Sequence, residues 1–128
     1  LSFGTPVVFE TGETINTSAA FDSSNGKVVI AYRDADNSNY GTAIVGTVSG
    51  TSISFGTAVV FESATTQYTS STFDSNSNKI VIAYRDTGNS SYGTAIVGTV
   101  SCTSISFGTP VVFESAATLL IRLTTRLL

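Results

Sequence analysis

Lys27-Val-Val-Ile-Ala-Tyr-Arg-Asp34 returns 52 residues later, with one change, as Lys79-Ile-Val-Ile-Ala-Tyr-Arg-Asp86. Each copy is short, rich in β-branched residues and followed by a cluster of turn formers, so each reads as a strand. Alternate positions put Val28, Ile30 and Tyr32 on one face, and Val29 and Ala31 on the other. A strand with one wet face alternates apolar and polar residues, whereas a strand apolar on both sides is covered on both.

The period runs through the rest of the chain. Tyr40–Ser49 recurs as Tyr92–Ser101, and the phrase Leu1–Glu10 recurs at Ile53–Glu62 and Ile105–Glu114, carrying Phe3, Phe55 and Phe107. Roughly seventy per cent of positions 1–62 are unchanged one period later. A repeat of this length is one supersecondary unit that buries itself against its neighbours. In the second unit the pattern predicts strands at Tyr68–Asp74, Lys79–Asp86, Tyr92–Ser101 and Ser104–Glu114. Turns at Ser75–Asn78, Thr87–Ser91 and Cys102–Thr103 separate them. The first unit parses the same way, with Ser23–Gly26 and Gly50–Thr51 as turns. No segment combines a helical period with capping signals. Each unit is therefore a four-stranded antiparallel meander.

Meanders apolar on both faces stack face to face, which is the geometry of a β-propeller with one blade per repeat. The expected class is all-β: tandem four-stranded antiparallel meanders, a fragment of a β-propeller with two full blades plus partial strands. Residues 1–10 form the last strand of a preceding blade, 11–62 blade one, 63–114 blade two, and 115–128 an off-pattern tail. The small residues Ala31, Gly41, Ala43 and Gly46 let neighbouring sheets approach closely. Closed propellers have about 4–8 blades. Two alone leave apolar faces in water, so self-association or further blades are expected. The absence of methionine and a start inside the repeat phrase point to a piece of a larger protein. In the tail, Leu119-Leu-Ile-Arg-Leu stands where the repeat calls for something like Thr-Gln-Tyr-Thr-Ser. Codons for Thr-Thr-Tyr-Thr-Ser read one base late give Leu-Leu-Ile-Arg-Leu, as a frameshift would. The alternative is an amphipathic tail that binds a partner or a membrane surface.

Composition removes several chemistries. Only 12% of the 128 residues are charged, so surface polarity rests on Ser, Thr and Asn. Six basic residues in a chain of net charge −3 offer no nucleic-acid surface. No basic run and no apolar run of ~18 residues is present to meet a membrane. One cysteine and no histidine exclude a Ser-His-Asp triad or a Cys-His pair within the chain, and disfavour zinc. No cofactor, no metal and no catalytic residue is expected. Cys102 replaces Gly50 at a turn position that favours positive φ, and reads as drift rather than a redox thiol.

In stacked meanders the loop between second and third strands shares a rim with the connection between units, and the tight turns occupy the other rim. The chemically varied loops therefore gather at one end. Arg33, Asp34, Asp36, Asn37 and Tyr40 lie there in one unit, and Arg85, Asp86, Asn89 and Tyr92 in the next. Each Arg can clamp a carboxylate or sugar acid bidentately. The alternative is a structural Arg–Asp pair repeated with the blade. Tyr40 and Tyr92 can stack on a sugar ring or pack at a blade edge. Asp34, Asp36 and Ser38 have the oxygen spacing of a calcium loop, but Val45 stands at the twelfth position. An Asx-rich turn is the expected reading. No pair among Glu10, Asp22, Glu62, Asp74 and Glu114 is spaced to single out an acid/base couple. Asn16-Thr-Ser18 and Asn89-Ser-Ser91 match the glycosylation acceptor pattern, as chance allows in a chain this rich in Asn, Ser and Thr.

The run from Ile30-Ala-Tyr-Arg-Asp34 through Gly41-Thr-Ala-Ile-Val-Gly-Thr-Val-Ser49 to Phe61 resembles a blade of sialidase-like β-propellers. Those blades carry an Asp-box of the form Ser-x-Asp-x-Gly-x-Thr-Trp. In Val48-Ser-Gly-Thr-Ser-Ile-Ser-Phe55, Phe55 stands for the Trp and Ser54 for the Thr, while the Asp and Gly have no counterpart. The resemblance implies a propeller fold. Members include hydrolases with an arginine triad, a Tyr nucleophile and an acidic partner, and only Arg33 and Arg85 compare with that set. The expected function is a noncatalytic repeat or binding module, carbohydrate-binding or adhesive, from a larger extracellular or cell-surface propeller with a glycan as partner. One alternative is part of a sialidase-like glycoside hydrolase whose catalytic blades lie outside the chain. Another is a purely structural repeat of an adhesin or fibre.

Overall fold

The computed structural model describes residues 1–119, and within them the chain is antiparallel β-structure with no α-helix. The strands are β1 (Thr14–Asp22), β2 (Lys27–Asp34), β3 (Tyr40–Ser49), β4 (Ser52–Phe55), β5 (Val59–Asp74), β6 (Lys79–Asp86), β7 (Tyr92–Ser101), β8 (Ser104–Phe107) and β9 (Val111–Ala117). Strands β1, β2 and β3 pair in order, with Ala31 opposite Ala43 and Arg33 opposite Gly41. The second half of β5 pairs with β6, and β6 with β7, in the same register 52 residues on: Ala83 faces Ala95 and Arg85 faces Gly93. The antiparallel meander is thus the observed unit. The ladders link all nine strands into one open sheet.

Several boundaries differ from the expectation, each for a physical reason. The fourth strand breaks in both units, into β4 and β5 and into β8 and β9. Both pieces still pair with one third strand, Phe55 opposite Gly46 and Val59 opposite Ala43, so one extra residue is accommodated between them as a bulge. The Gly56 amide donates to the Val45 carbonyl at 2.9 Å inside that break. A Cβ on Gly56 would run into the Thr103 carbonyl oxygen, so the next unit's turn packs against this break; the same break forms at Gly108, where nothing lies that close. Strand β5 then runs on without interruption into the second unit, and the expected strand Tyr68–Asp74 is its latter half. Leu1–Glu10, expected as a strand, joins no ladder because no third strand lies beside it. Thr87–Asn89, expected as loop, winds into one 3₁₀ turn. The frameshift reading of the tail falls almost wholly on residues 120–128, outside the described residues.

The two meanders meet face to face. Val29, Ala31, Ala43 and Val45 of the first pack against Ile80, Ile82, Tyr84 and Ile96 of the second in one buried cluster. This is why strand β2 is apolar on both sides: Val29 and Ala31 face the next sheet, and Tyr32 faces the Leu1–Glu10 segment. Phe61, at the end of the repeated phrase, reaches into the following unit. Its ring centroid lies 5.2 Å from that of Tyr84 and 5.6 Å from that of Phe107. It lies over Gly41, where a Cβ would come within 2.7 Å of the ring. Phe9 repeats the arrangement on Tyr32 and Phe55 at 5.2 and 5.7 Å. Each such aromatic pair is worth about 0.5–1.5 kcal/mol beyond its buried area. The Tyr84 hydroxyl donates to Glu62 Oε1 at 2.8 Å and the Tyr32 hydroxyl to Glu10 Oε1 at 3.0 Å. A phenylalanine and a glutamate of one unit therefore clasp a tyrosine of the next.

Between the sheets, β1 and β5 run side by side without a ladder. The Tyr68 amide donates to Asn16 Oδ1 at 3.3 Å, the Ser71 amide to Ser18 Oγ at 2.8 Å, and the Thr69 hydroxyl to the Asn16 carbonyl. Asn16, the first glycosylation-pattern asparagine, is thus engaged in holding the two units together.

Candidate functional site at the loop rim

Strand parity decides what the rim displays. Arg33 and Asp34 are consecutive in β2, so their side chains leave opposite faces, as do those of Arg85 and Asp86 in β6. Among the described residues no ion pair joins either couple, so the repeated Arg–Asp is not a structural salt bridge. The Arg85 guanidinium carbon lies 5.9 Å from the centroid of the Tyr68 ring, within cation–π range. Its Nη2 donates to Ser91 Oγ at 3.2 Å. Its Nε is buried without a hydrogen-bond partner, and so is that of Arg33.

The loops are tied to the connections between units. Ala35 N donates to Glu13 O, Thr66 N to Asn39 O, and Thr118 N to Ser91 O, all within 3.1 Å. Arg33, Asp34, Asp36, Asn37 and Tyr40 therefore share one rim with Arg85, Asp86, Asn89 and Tyr92. Asp36, Asn37 and Asn89 are exposed there, while Tyr40 and Tyr92 are half-buried. Asp34 Oδ1 accepts the Asp36 amide at 3.1 Å, and the Asn37 amide bonds the Asp34 carbonyl. The calcium-like spacing is thus spent on an Asx turn. In the second unit the 3₁₀ turn replaces that bond, and Asp86 Oδ1 is buried without a partner. The described residues contain no cluster of three acidic or thiol groups suited to a metal.

Two features of the rim are absent from the sequence reading. Tyr68 is one: it sits in a bulge of β5 at φ 55°, and its counterpart Asn16 sits in the matching bulge of β1 at φ 56°. Asparagine tolerates this left-handed conformation, whereas a tyrosine there carries strain of about 1 kcal/mol. The signal was the Asn16-to-Tyr68 difference between otherwise similar copies. The second feature is a swap. Gly12 faces Asp36, where a Cβ would come within 2.8 Å, and in the second unit Gly88 faces Ala64 at 2.6 Å with the small residue on the other side.

The acid–base character of the clasp follows from burial. Burial pushes the Tyr32 and Tyr84 phenols well above their ordinary range, and the glutamates they bond add to the effect. Both therefore remain neutral donors. Burial also pushes Glu62 above the usual carboxylate range; the Tyr84 hydrogen bond opposes this, and the nearby Asp86 charge adds to it. The folded chain thus holds the Glu62 proton more tightly than the unfolded chain does. The stability from this group is complete below the ordinary glutamate pKa of 4.5 and is lost as pH rises through the raised value. Asp22 has the opposite sign. Its burial is outweighed by hydrogen bonds from Ser24 and Asn25, so its pKa is lowered and its contribution is lost as pH falls below 3.8. Replacing Glu62 with glutamine keeps an acceptor for Tyr84 and removes the charge. The variant should gain stability relative to the parent chain between pH 4 and pH 7, measured from urea midpoints, and an unchanged difference at the two pH values would contradict the assignment. No protein-family model matches the chain, and no curated protein and no solved structure matches it either.

Proposed function

We propose that these meanders are blades of a β-propeller-type stack that acts as a noncatalytic binding module outside the cell, with carbohydrate recognised at the loop rim. The propeller reading is supported by two meanders that meet face to face, Val29 and Ala31 of one buried with Ile80 and Ile82 of the other. The binding reading is carried by Arg85: a half-buried guanidinium at the rim, with Nη2 held by Ser91 and an aromatic ring beside it. A planar donor fork next to an aromatic face suits the carboxylate or vicinal hydroxyls of a sugar. Arg33 holds the equivalent position one unit away, and repeated weak sites gain avidity on a repeated ligand. A hydrolase built on Tyr32 or Tyr84 has no support, since both are fully buried and held protonated.

A glycan array probed with the full chain tests this reading. Binding to acidic or neutral glycans is expected, and Arg85→Ala should weaken it by about tenfold or more, the worth of a charged hydrogen bond. Circular dichroism should show the variant still folded. Binding to no glycan at all would overturn the proposal and leave the purely structural repeat.

A further inference from the structure

We propose that a second copy of this chain covers the outer face of the second sheet, head to tail, through the contacts that already hold the two units together. The proposal stands apart from what the rim binds. In the first sheet Val45 is 1% exposed, while its counterpart Val97 is 46% exposed. Phe61 is 7% exposed, while Phe113 is 57% exposed. A Cβ on Gly56 is blocked by the Thr103 turn, whereas one on Gly108 meets nothing closer than the Val97 carbonyl oxygen at 3.9 Å. At the opposite end of the stack, Phe73 is half-buried against the core while its counterpart Phe21 is 57% exposed.

The two outer faces are therefore the two halves of the internal contact. One displays Val97 and Phe113, and the other displays Phe21 and Val48. Because each face is a copy of a surface already mated inside the chain, register and shape complementarity follow from the repeat itself. The contact joins unlike faces, so it is heterologous and propagates from copy to copy.

On the receiving face, Leu1–Glu10 lies where Ile105–Glu114 of an incoming copy must go. Phe9 already fills the place between Tyr32 and Phe55 that Phe61 fills between Tyr84 and Phe107. Association is thus an exchange in which Phe113 and Glu114 of one copy displace Phe9 and Glu10 of the next. The exchange favours the incoming phrase, because β8 and β9 are held in ladders by β7 whereas Leu1–Glu10 joins none. A preorganised segment loses less freedom on docking.

Sedimentation velocity under reducing conditions, which remove any bond through the exposed Cys102, tests the proposal. The parent chain should form species larger than a monomer as concentration rises. Phe21→Asp blocks the receiving face and Val97→Asp the donating face; both positions are exposed, and circular dichroism verifies that each variant stays folded. Each variant alone should be monomeric. Their equimolar mixture should form a one-to-one dimer that grows no further, since each partner keeps one working face. A parent chain that stays monomeric, a variant that still associates alone, or a mixture that stays monomeric would each overturn the proposal.

Discussion

Phe61→Ala is expected to lower stability by about 3–5 kcal/mol, the usual range for emptying a buried aromatic site. Phe113→Ala, the same change in the same phrase, should cost under about 1 kcal/mol, as exposed positions do. The two side chains belong to the same local sequence, Val-Val-Phe-Glu, and sit in equivalent strands. What differs is the partner. Phe61 meets Tyr84 and Phe107 across the interface between sheets, and Phe113 has no following unit within the described residues. Urea denaturation at low micromolar concentration measures both. Equal losses would show that the phenylalanine stabilises its own meander rather than the stack. At high concentration the Phe113 value should rise, because the head-to-tail contact then places that ring in the same pocket.

Gly56→Ala should be the second most severe of these changes, with a loss of about 1–3 kcal/mol from overpacking. The obstruction is the Thr103 backbone carbonyl, which cannot rotate away as a side-chain tip would. Gly108→Ala has open space and should fall within about 0.5 kcal/mol of the parent chain. Thermal melts of the two variants, read side by side, separate a requirement of the turn contact from a general intolerance of alanine in the phrase. If both melt alike, the close approach of the two units at Thr103 is not what demands glycine.

Much of the architecture was legible because strand parity is a strict rule. Val29 and Ala31 on one side of β2, with Tyr32 on the other, announced a strand covered on both sides: the buried cluster joins Val29 and Ala31 to Ile80 and Ile82 of the next meander, and Tyr32 packs on Phe9. The same rule should have separated Arg33 from Asp34, yet adjacency in the sequence invited a salt bridge that the strand forbids. The break at Gly56 was not legible, and it recurs at Gly108 with no turn beside it, so it belongs to the repeated phrase rather than to the Thr103 contact. Tyr68 was read as an ordinary strand residue. Its part at the rim depends on a bulge that turns its backbone left-handed, and no local pattern reports that. The rim loops were located from the order of the elements, because a meander must place its second-to-third connection beside the link to the next unit.

The Gly12–Asp36 and Ala64–Gly88 swap bears on how such chains change over generations. Genes of tandem repeats expand and contract by unequal crossing-over, which splices one unit into the other. A crossover between the two swapped positions would bring Ala64 against an aspartate, or leave two glycines with a hole between them. These residues travel as a linked pair, so recombination can renew this family of segments only at joints that leave the pair intact.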